Sequence, residues 1–322
     1  MELIKSKFPL RGVVESRIGG REENQDSYGF KDTPIGVVVV VCDGMGGLQG
    51  GKTASMIAVN TIIGYLSEVE RGYNPEAALQ EAISHANMAI LQAGMNSPAL
   101  RGMGTTVTAM ILSRRCATIA YVGDSRIYQL RGKKKAFRTF DHSMVFEMVK
   151  SGVMTEEQAR CSSQSNIILQ ALGIGTEVAP TIHKLPYLEN DRFILCTDGF
   201  WGAMPEAQFL KYVTKKENIG HMLEDVANRV ESAGFATGGH HDNLTAAIVD
   251  VKCNSKMKVK MSKSVKIILS VLSALLLLSV GLNIYLMNKV NKLTPQEPTT
   301  VVADSQEAGE GTPKTPQEGA NN

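Results

Sequence analysis

The sequence predicts an α+β fold built on antiparallel strands, followed by one apolar helix long enough to cross a membrane. Three observations carry that expectation. The first is the stretch Gly36-Val37-Val38-Val39-Val40-Val41-Cys42-Asp43-Gly44-Met45-Gly46-Gly47, five valines and a cysteine running into an aspartate and a glycine turn. β-Branched side chains suit a pleated surface, and nothing from 37 to 42 is polar enough to face water, so this is a fully buried strand. The second is the succession of apolar segments 106–112, 117–122 and 127–130, separated by four-residue gaps. A parallel return needs about a dozen residues or more, so such gaps join antiparallel neighbours and the segments are expected as a meander. The third is 267–287, apolar but for Ser270, Ser273, Ser279 and Asn283. As a helix it is about 31 Å long, matching a hydrocarbon core of about 30 Å.

The remaining elements follow from pattern and caps. Strands are expected also at 192–196 and 244–251. Helices are expected at 52–69, at 75–93 behind the cap Asn74 with Pro75 in the first turn, at 205–213, and at 219–233 behind Asn218. Thr155-Glu156-Glu157-Gln158 has capping-box spacing for a short helix. Antiparallel strands with paired helices indicate α+β layers.

A chain of 322 residues with 43% apolar content can bury a substantial core. Its 34 basic and 32 acidic residues leave a net charge of +2, so no overall field favours nucleic acid. The five cysteines are odd in number, lie far apart and include no CxxC pair, and they read as reduced, buried thiols of a cytoplasmic domain. The N-terminus has no apolar core of signal-peptide length. Lys252, Lys256, Lys258, Lys260, Lys263 and Lys266 precede the apolar segment, against Lys289 and Lys292 beyond it. The positive-inside bias then puts residues 1–266 in the cytoplasm, with the lysine cluster able to rest on anionic headgroups. The tail after Leu293 is rich in Pro, Thr, Gln, Glu and Gly, repeats Thr-Pro-Gln-Glu at 294–297 and 315–318, and is expected to be disordered. The expected organisation is a cytoplasmic domain at 1–252, a basic juxtamembrane linker at 253–266, a transmembrane helix at 267–287 and a short extracytoplasmic tail at 288–322.

Two chemistries compete for the glycine turn. Gly46-Gly47-Leu48-Gln49-Gly50-Gly51-Lys52-Thr53 matches the phosphate-cradling pattern G-x-x-x-x-G-K-[ST] between a strand and a helix, so an NTPase using Lys52 and Thr53 is one reading. Against it, Asp43 stands between strand and cradle, where its charge repels a phosphate. The other reading starts from recurrence. Aspartates close or open strands at Asp43, Asp124, Asp198 and Asp242, and another closes Arg21-Glu22-Glu23-Asn24-Gln25-Asp26. Converging carboxylates repel unless protonated or bridged by cations, and an all-oxygen set selects Mg²⁺ or Mn²⁺ over zinc. Two ions bridged by a carboxylate can activate a water for in-line attack on a phosphoryl group, which points to metal-assisted phosphate ester hydrolysis.

The ordered motifs Arg21…Asn24-Gln25-Asp26, Cys42-Asp43-Gly44-Met45-Gly46-Gly47, Gly102-Met103-Gly104-Thr105-Thr106, Gly123-Asp124-Ser125-Arg126, Asp141-His142-Ser143, Ala171-Leu172-Gly173, Cys196-Thr197-Asp198-Gly199 and Asp242-Asn243-Leu244-Thr245 resemble the bacterial branch of the PPM, or type 2C, family of metal-dependent serine/threonine protein phosphatases. The resemblance covers roughly residues 10–251 and implies a four-layer α-β-β-α sandwich with two central antiparallel sheets. It implies that Asp43 bridges two Mn²⁺ or Mg²⁺ ions, that the Gly44 carbonyl binds one, and that Asp198 and Asp242 complete the other. Asp26 would act through a water, Asp124 with Asp198 would match a third-metal position, and Arg21 would hold the substrate phosphate. The implied substrates are proteins phosphorylated on Ser or Thr, including a cognate kinase, and the implied flap lies near 142–170. Met45 stands where some members carry a histidine proposed as general acid, and 161–166 lacks the His and Arg usual in bacterial flaps. His240-His241 are not read as ligands, since the resemblance assigns that role to Asp242, and Phe200-Trp201 read as core or flap packing, not as a recognition box. A non-catalytic binding module of the same fold is the remaining alternative.

Overall fold

The structure is a computed structural model that describes residues 1–114, 116–215, 217–252 and 263–293. The chain divides into two compact units, Met1–Lys256 and Met257–Asn322. The expected linker at 253–266 falls mostly outside the described residues, as do Cys253 and the expected tail from 294 onward.

In chain order the first strands are β1 (Glu2–Ile4), β2 (Leu10–Arg17), β3 (Ser27–Thr33), β4 (Gly36–Cys42) and the short β5 (Gly44–Met45). Helices α1 (Gly47–Glu68) and α2 (Pro75–Asn96) follow, then β6 (Gly104–Thr105), β7 (Val107–Leu112), β8 (Ala117–Val122), β9 (Arg126–Arg131) and β10 (Lys134–Arg138). The short helices α3 (Met144–Lys150) and α4 (Glu156–Arg160) precede β11 (Thr181–Leu185) and β12 (Asp191–Cys196). The unit closes with α5 (Asp198–Trp201), α6 (Glu206–Val213), α7 (Ile219–Ala236) and β13 (Leu244–Val251).

Two antiparallel sheets form the middle of this unit. One has the order β1-β2-β13-β12-β9-β10, the other β11-β8-β7-β4-β3. The five-valine strand shows why both faces of a strand can be apolar. Val37, Val39 and Val41 enter the core between the sheets with Phe193, Leu195 and Val249. Val38, Val40 and Cys42 point the other way, into the layer made by α1 and α2 with Ile62, Leu66 and Ile83. On the far side Tyr128, Ile194 and Ile248 pack against Phe209, Leu223 and Val226 of α6 and α7. The result is the expected α-β-β-α sandwich. The caps act as anticipated: Asn74 accepts from the Glu76 N–H, Asn218 from the Gly220 N–H, and Thr155 and Gln158 form a reciprocal capping box.

The expected three-strand meander is corrected in one place. β7 and β8 pair antiparallel, but β9 belongs to the other sheet, where it pairs with β10 and β12. Gly123, at φ +100°, turns the chain from one sheet to the other, and Asp124 sits on that crossing. A second correction concerns the thiols: Cys42, Cys116 and Cys196 are buried, but Cys161 is exposed at the end of α4.

In the second unit one helix, α8 (Lys263–Leu293), carries the apolar segment. Ser270–Lys289, 20 residues with mean hydropathy 2.0, is long and apolar enough to cross a membrane, slightly C-terminal of the expected 267–287. Its leucines at 275–278 are exposed.

Candidate active site

The carboxylates are aimed by strand ends whose backbones are pinned. Asp43 follows β4, and its N–H donates to Thr106 Oγ1 at 3.0 Å. Its carbonyl accepts from Thr105 Oγ1 at 2.7 Å and from the Thr106 N–H at 2.8 Å. Thr106 Oγ1 also lies 2.8 Å from Ser125 Oγ, tying the Asp43 turn to the Asp124 crossing. Gly44 has no room for a side chain: a Cβ there would stand 2.1 Å from the Gly51 carbonyl oxygen and 2.7 Å from that of Gln25. Asp198 opens α5, and a Cβ on the following Gly199 would meet the Asn243 carbonyl oxygen at 2.1 Å. Asn243 fastens the 18–25 loop. Its amide donates to the Ile18 and Glu23 carbonyls at 2.7 and 3.0 Å, and its Oδ1 accepts from the Gln25 N–H at 2.8 Å.

These turns open on one cleft of about 530 Å³, lined by Arg21, Glu22, Glu23, Asp43, Gly44, Met45, Asp124, Asn166, Ile168, Asp198 and Asp242 among others. Among the described residues, six acidic side chains face it and one cation, Arg21. Asp26 does not line the cleft. It is buried, with Oδ2 accepting from Thr197 Oγ1 at 3.0 Å. Arg21 closes in a planar fork on Asp242, Nε to Oδ1 at 3.0 Å and Nη2 to Oδ2 at 2.8 Å. The resemblance gives these two residues separate roles, phosphate and metal, and across 221 positions no local pattern signals their pairing.

Burial and mutual repulsion dominate the electrostatics. Burial raises the Asp43 carboxyl well above the ordinary range, and the charges of Asp26, Asp198, Asp124 and Asp242 raise it further. Burial likewise raises Asp124, with Asp198 and Asp141 adding to it. Asp198 is raised by burial and then by Asp242, against a hydrogen bond from Asp43 and the Gly199 N–H. Asp26 is pushed up to about 7 by burial, with Asp198 and Asp242 adding to that and hydrogen bonds from Thr245 and Thr197 opposing it.

The residues fit hard divalent cations on two grounds. Asp26 Oδ1, Asp124 Oδ1, Asp198 Oδ1 and Glu23 Oε2 are buried oxygens with no hydrogen-bond partner among the described residues, an arrangement that costs free energy unless a proton or cation fills it. The donor set is also all oxygen, which suits Mg²⁺ or Mn²⁺. Among the described residues no three acidic, histidine or thiol groups close into a ready ligand cage.

Behind Asp124 lies a support that sequence reasoning missed. Arg126 is buried and grips Asp141, Nε to Oδ1 at 2.8 Å and Nη2 to Oδ2 at 2.7 Å, while its guanidinium lies 3.3 Å over the Trp201 ring. Trp201 Nε1 in turn donates to the Asp124 carbonyl at 3.1 Å. Phe200 is core, as expected, and Trp201 is this brace. Thr105, Thr106, Thr197 and Asn243 were also not singled out; only their adjacency to the carboxylate motifs could have signalled them. The expected flap at 142–170 contains α3 and α4 and is closed at its base where the Met144 N–H meets the Ile167 carbonyl and the Leu169 N–H meets that of His142. Asn166 and Ile168 bring it to the cleft. His241 packs edge-on to Phe235 at 4.8 Å and is not among the groups lining the cleft.

The nucleotide reading of Lys52 is not supported. Residues 47–53 already belong to α1, so no open loop wraps a phosphate, and Lys52 Nζ donates to the Asp26 carbonyl at 3.1 Å.

A family model described as Protein phosphatase 2C matches residues 15–247. Serine/threonine phosphatase stp of Listeria innocua is 31% identical over 234 residues, 71% of this chain and 91% of its own. The solved serine/threonine phosphatase of S. agalactiae superposes with a TM-score of 0.69 at 30% identity, covering 76% of this chain and all of that one. The catalytic domain of PstP, solved in complex with two manganese ions, superposes with a TM-score of 0.65 at 29% identity, covering 76% of this chain and 99% of that one. The chain belongs to the protein phosphatase 2C family, among its bacterial-type serine/threonine phosphatases.

Proposed function

We propose that residues 1–252 form a cytoplasmic catalytic domain that removes phosphate from phosphoserine and phosphothreonine of proteins, using Mn²⁺ or Mg²⁺ held by the acidic cleft. The observation that carries this reading is the cleft's composition, six acidic side chains and one arginine, with buried carboxylate oxygens left unpartnered. Asp43, Gly44 through its carbonyl, Asp198 and Asp242 are the proposed holders of two ions. Asp26 is the proposed outer partner, and Asp124 with Asp198 a third position. The two manganese ions of the PstP structure support the choice of metal. When bound, such ions supply Lewis acidity toward the phosphoryl oxygens and an attacking water.

The chain's own groups then have distinct tasks. Thr105 and Thr106 hold the Asp43 backbone so that its carboxylate stays aimed at the cleft. Arg21, the one cation there among the described residues, is the group for the substrate phosphate, whose oxygens match its planar fork and compete with Asp242 for it. Asn166 stands on the flap wall as a neutral donor. Replacing Arg21 by Ala is expected to raise KM for a phosphothreonine peptide tenfold or more, on the order of one lost charge-assisted contact, with a smaller change in kcat. The same variant should bind Mn²⁺ more tightly by calorimetry, because Asp242 loses its partner. Unchanged KM would remove Arg21 from phosphate binding.

Substrates of this kind imply a Ser/Thr kinase whose phosphorylation the enzyme opposes. The apolar Ser270–Lys289 segment and the lysines before it support a single-pass membrane protein with the phosphatase inside and residues beyond 288 outside. Protease added to intact cells should shorten the chain at its C-terminus and leave the phosphatase whole; loss of the catalytic domain would reverse the orientation.

A further inference from the structure

At the end of the six-stranded sheet away from the acidic cleft lies a second recess, lined by Arg11, Lys133, Arg192, Lys215 and Lys252, with Glu217 and Asp250. Strand direction places the two sites. β2 starts beside Arg11 and leads to Arg21; β12 has Arg192 near its start and Asp198 just past its end; β13 opens after Asp242 and reaches Asp250. Three strands therefore run from one site to the other, roughly 20 Å apart at the rise of a strand.

The recess is built. Buried Asp250 accepts from two arginines, from Arg192 Nε at 2.6 Å and Nη2 at 3.0 Å and from Arg11 Nη2 at 3.0 Å, so this trio keeps a net positive charge. Lys215 pairs with Glu217 and Asp225. Lys133 and Lys252 have no ion pair among the described residues, and Lys133 is exposed at the turn between β9 and β10. Lys252 is also the last described residue of the catalytic unit. Lys263, which opens the apolar helix, is eleven positions further on, and the sequence between them carries more lysines.

We propose that this recess is a docking face for anionic phospholipid headgroups, holding the catalytic unit with its acidic cleft turned away from the membrane. The inference rests on the membrane-anchored reading above. Headgroup phosphates meet a preformed basic pocket, and each unpaired lysine near an anionic surface strengthens the contact about fivefold. The acidic cleft at the far end would be repelled by the same surface, so attraction and repulsion favour one orientation.

The full chain reconstituted in vesicles tests this, with a water-soluble amine-acylating reagent and mass spectrometry of the labelled lysines. Phosphatidylcholine vesicles are compared with vesicles that also contain phosphatidylglycerol. Labelling of Lys133, Lys215 and Lys252 is expected to fall about fivefold in the anionic vesicles and to recover at high salt, while Lys31 and Lys184 are unaffected. In K133E/K252E the protection of Lys215 should disappear, with hydrolysis of a soluble phosphopeptide unchanged. Equal labelling in the two vesicles, with protein floating in both, overturns the docking face and leaves the anchor standing. Failure to float with phosphatidylcholine vesicles overturns the anchor and the docking face together. Equal protection by inorganic phosphate in neutral vesicles would make the recess a free-anion site and overturn lipid docking.

Discussion

Asn in place of Asp198 is expected to lower phosphopeptide hydrolysis by roughly three orders of magnitude, the loss of several kcal/mol of transition-state stabilisation. The charge of Asp198 raises the pKa of both Asp43 and Asp124, and Asp198 is itself raised by burial and by Asp242. Removing its charge therefore weakens two candidate cation positions at once. Folding should not suffer, because the amide keeps an oxygen to accept the Gly199 N–H and the substitution relieves the repulsion from Asp242. Denaturation followed through Trp201, the sole tryptophan, should show cation-free D198N at least as stable as the parent. Activity within threefold of the parent would take Asp198 out of the reaction, and a destabilised protein would make the loss a folding defect.

The second large effect is on stability as a function of pH and cation. Asp26 is raised to about 7, and Asp43, Asp124 and Asp198 are raised as well. An unfolded aspartate titrates near 3.9. Between those values the folded chain binds more protons than the unfolded one, so its stability falls as pH rises from about 4 toward 7. Asp26 alone accounts for an effect on the order of 4 kcal/mol. Cations bind the ionised carboxylates and reverse the loss, so Mn²⁺ should raise the midpoint of the Trp201 melt strongly at pH 7.5 and little at pH 5. A cation-free midpoint that rises with pH over this range would contradict the electrostatic account of the cleft.

What could be read from the sequence was whatever leaves a local pattern. The valines of β4 announce a strand because both its faces are dry, and the aspartates announce themselves by standing at strand ends beside glycines. β2 left no such mark. Its Arg11, Glu15 and Arg17 break the apolar run; Arg17 and Glu15 pair with each other, but the fold supplies Asp250 for Arg11, Glu231 for Arg17 and the N-terminal amine for Glu15. The crossing at Gly123 was invisible for a related reason, since a four-residue gap serves as well between two facing sheets as within one. The bidentate pairing of Arg21 with Asp242 spans 221 positions, and the brace from Arg126 through Trp201 to Asp124 spans 75 and then 77, distances over which spacing carries no information. The basic recess gathers residues from both ends of the unit, and no window along the chain contains it.

The most direct test of the acidic cleft as the seat of a metal-dependent phosphatase is phosphate release by the full chain from a phosphothreonine peptide. It is measured with Mn²⁺ added and after stripping by chelator, for the parent, D43N and K52A. The expected result is release that requires the cation, is lost in D43N and is retained in K52A. Release that persists in D43N, or that depends on Lys52, would contradict the account. Absence of release with any divalent cation would leave the same fold as a binding module.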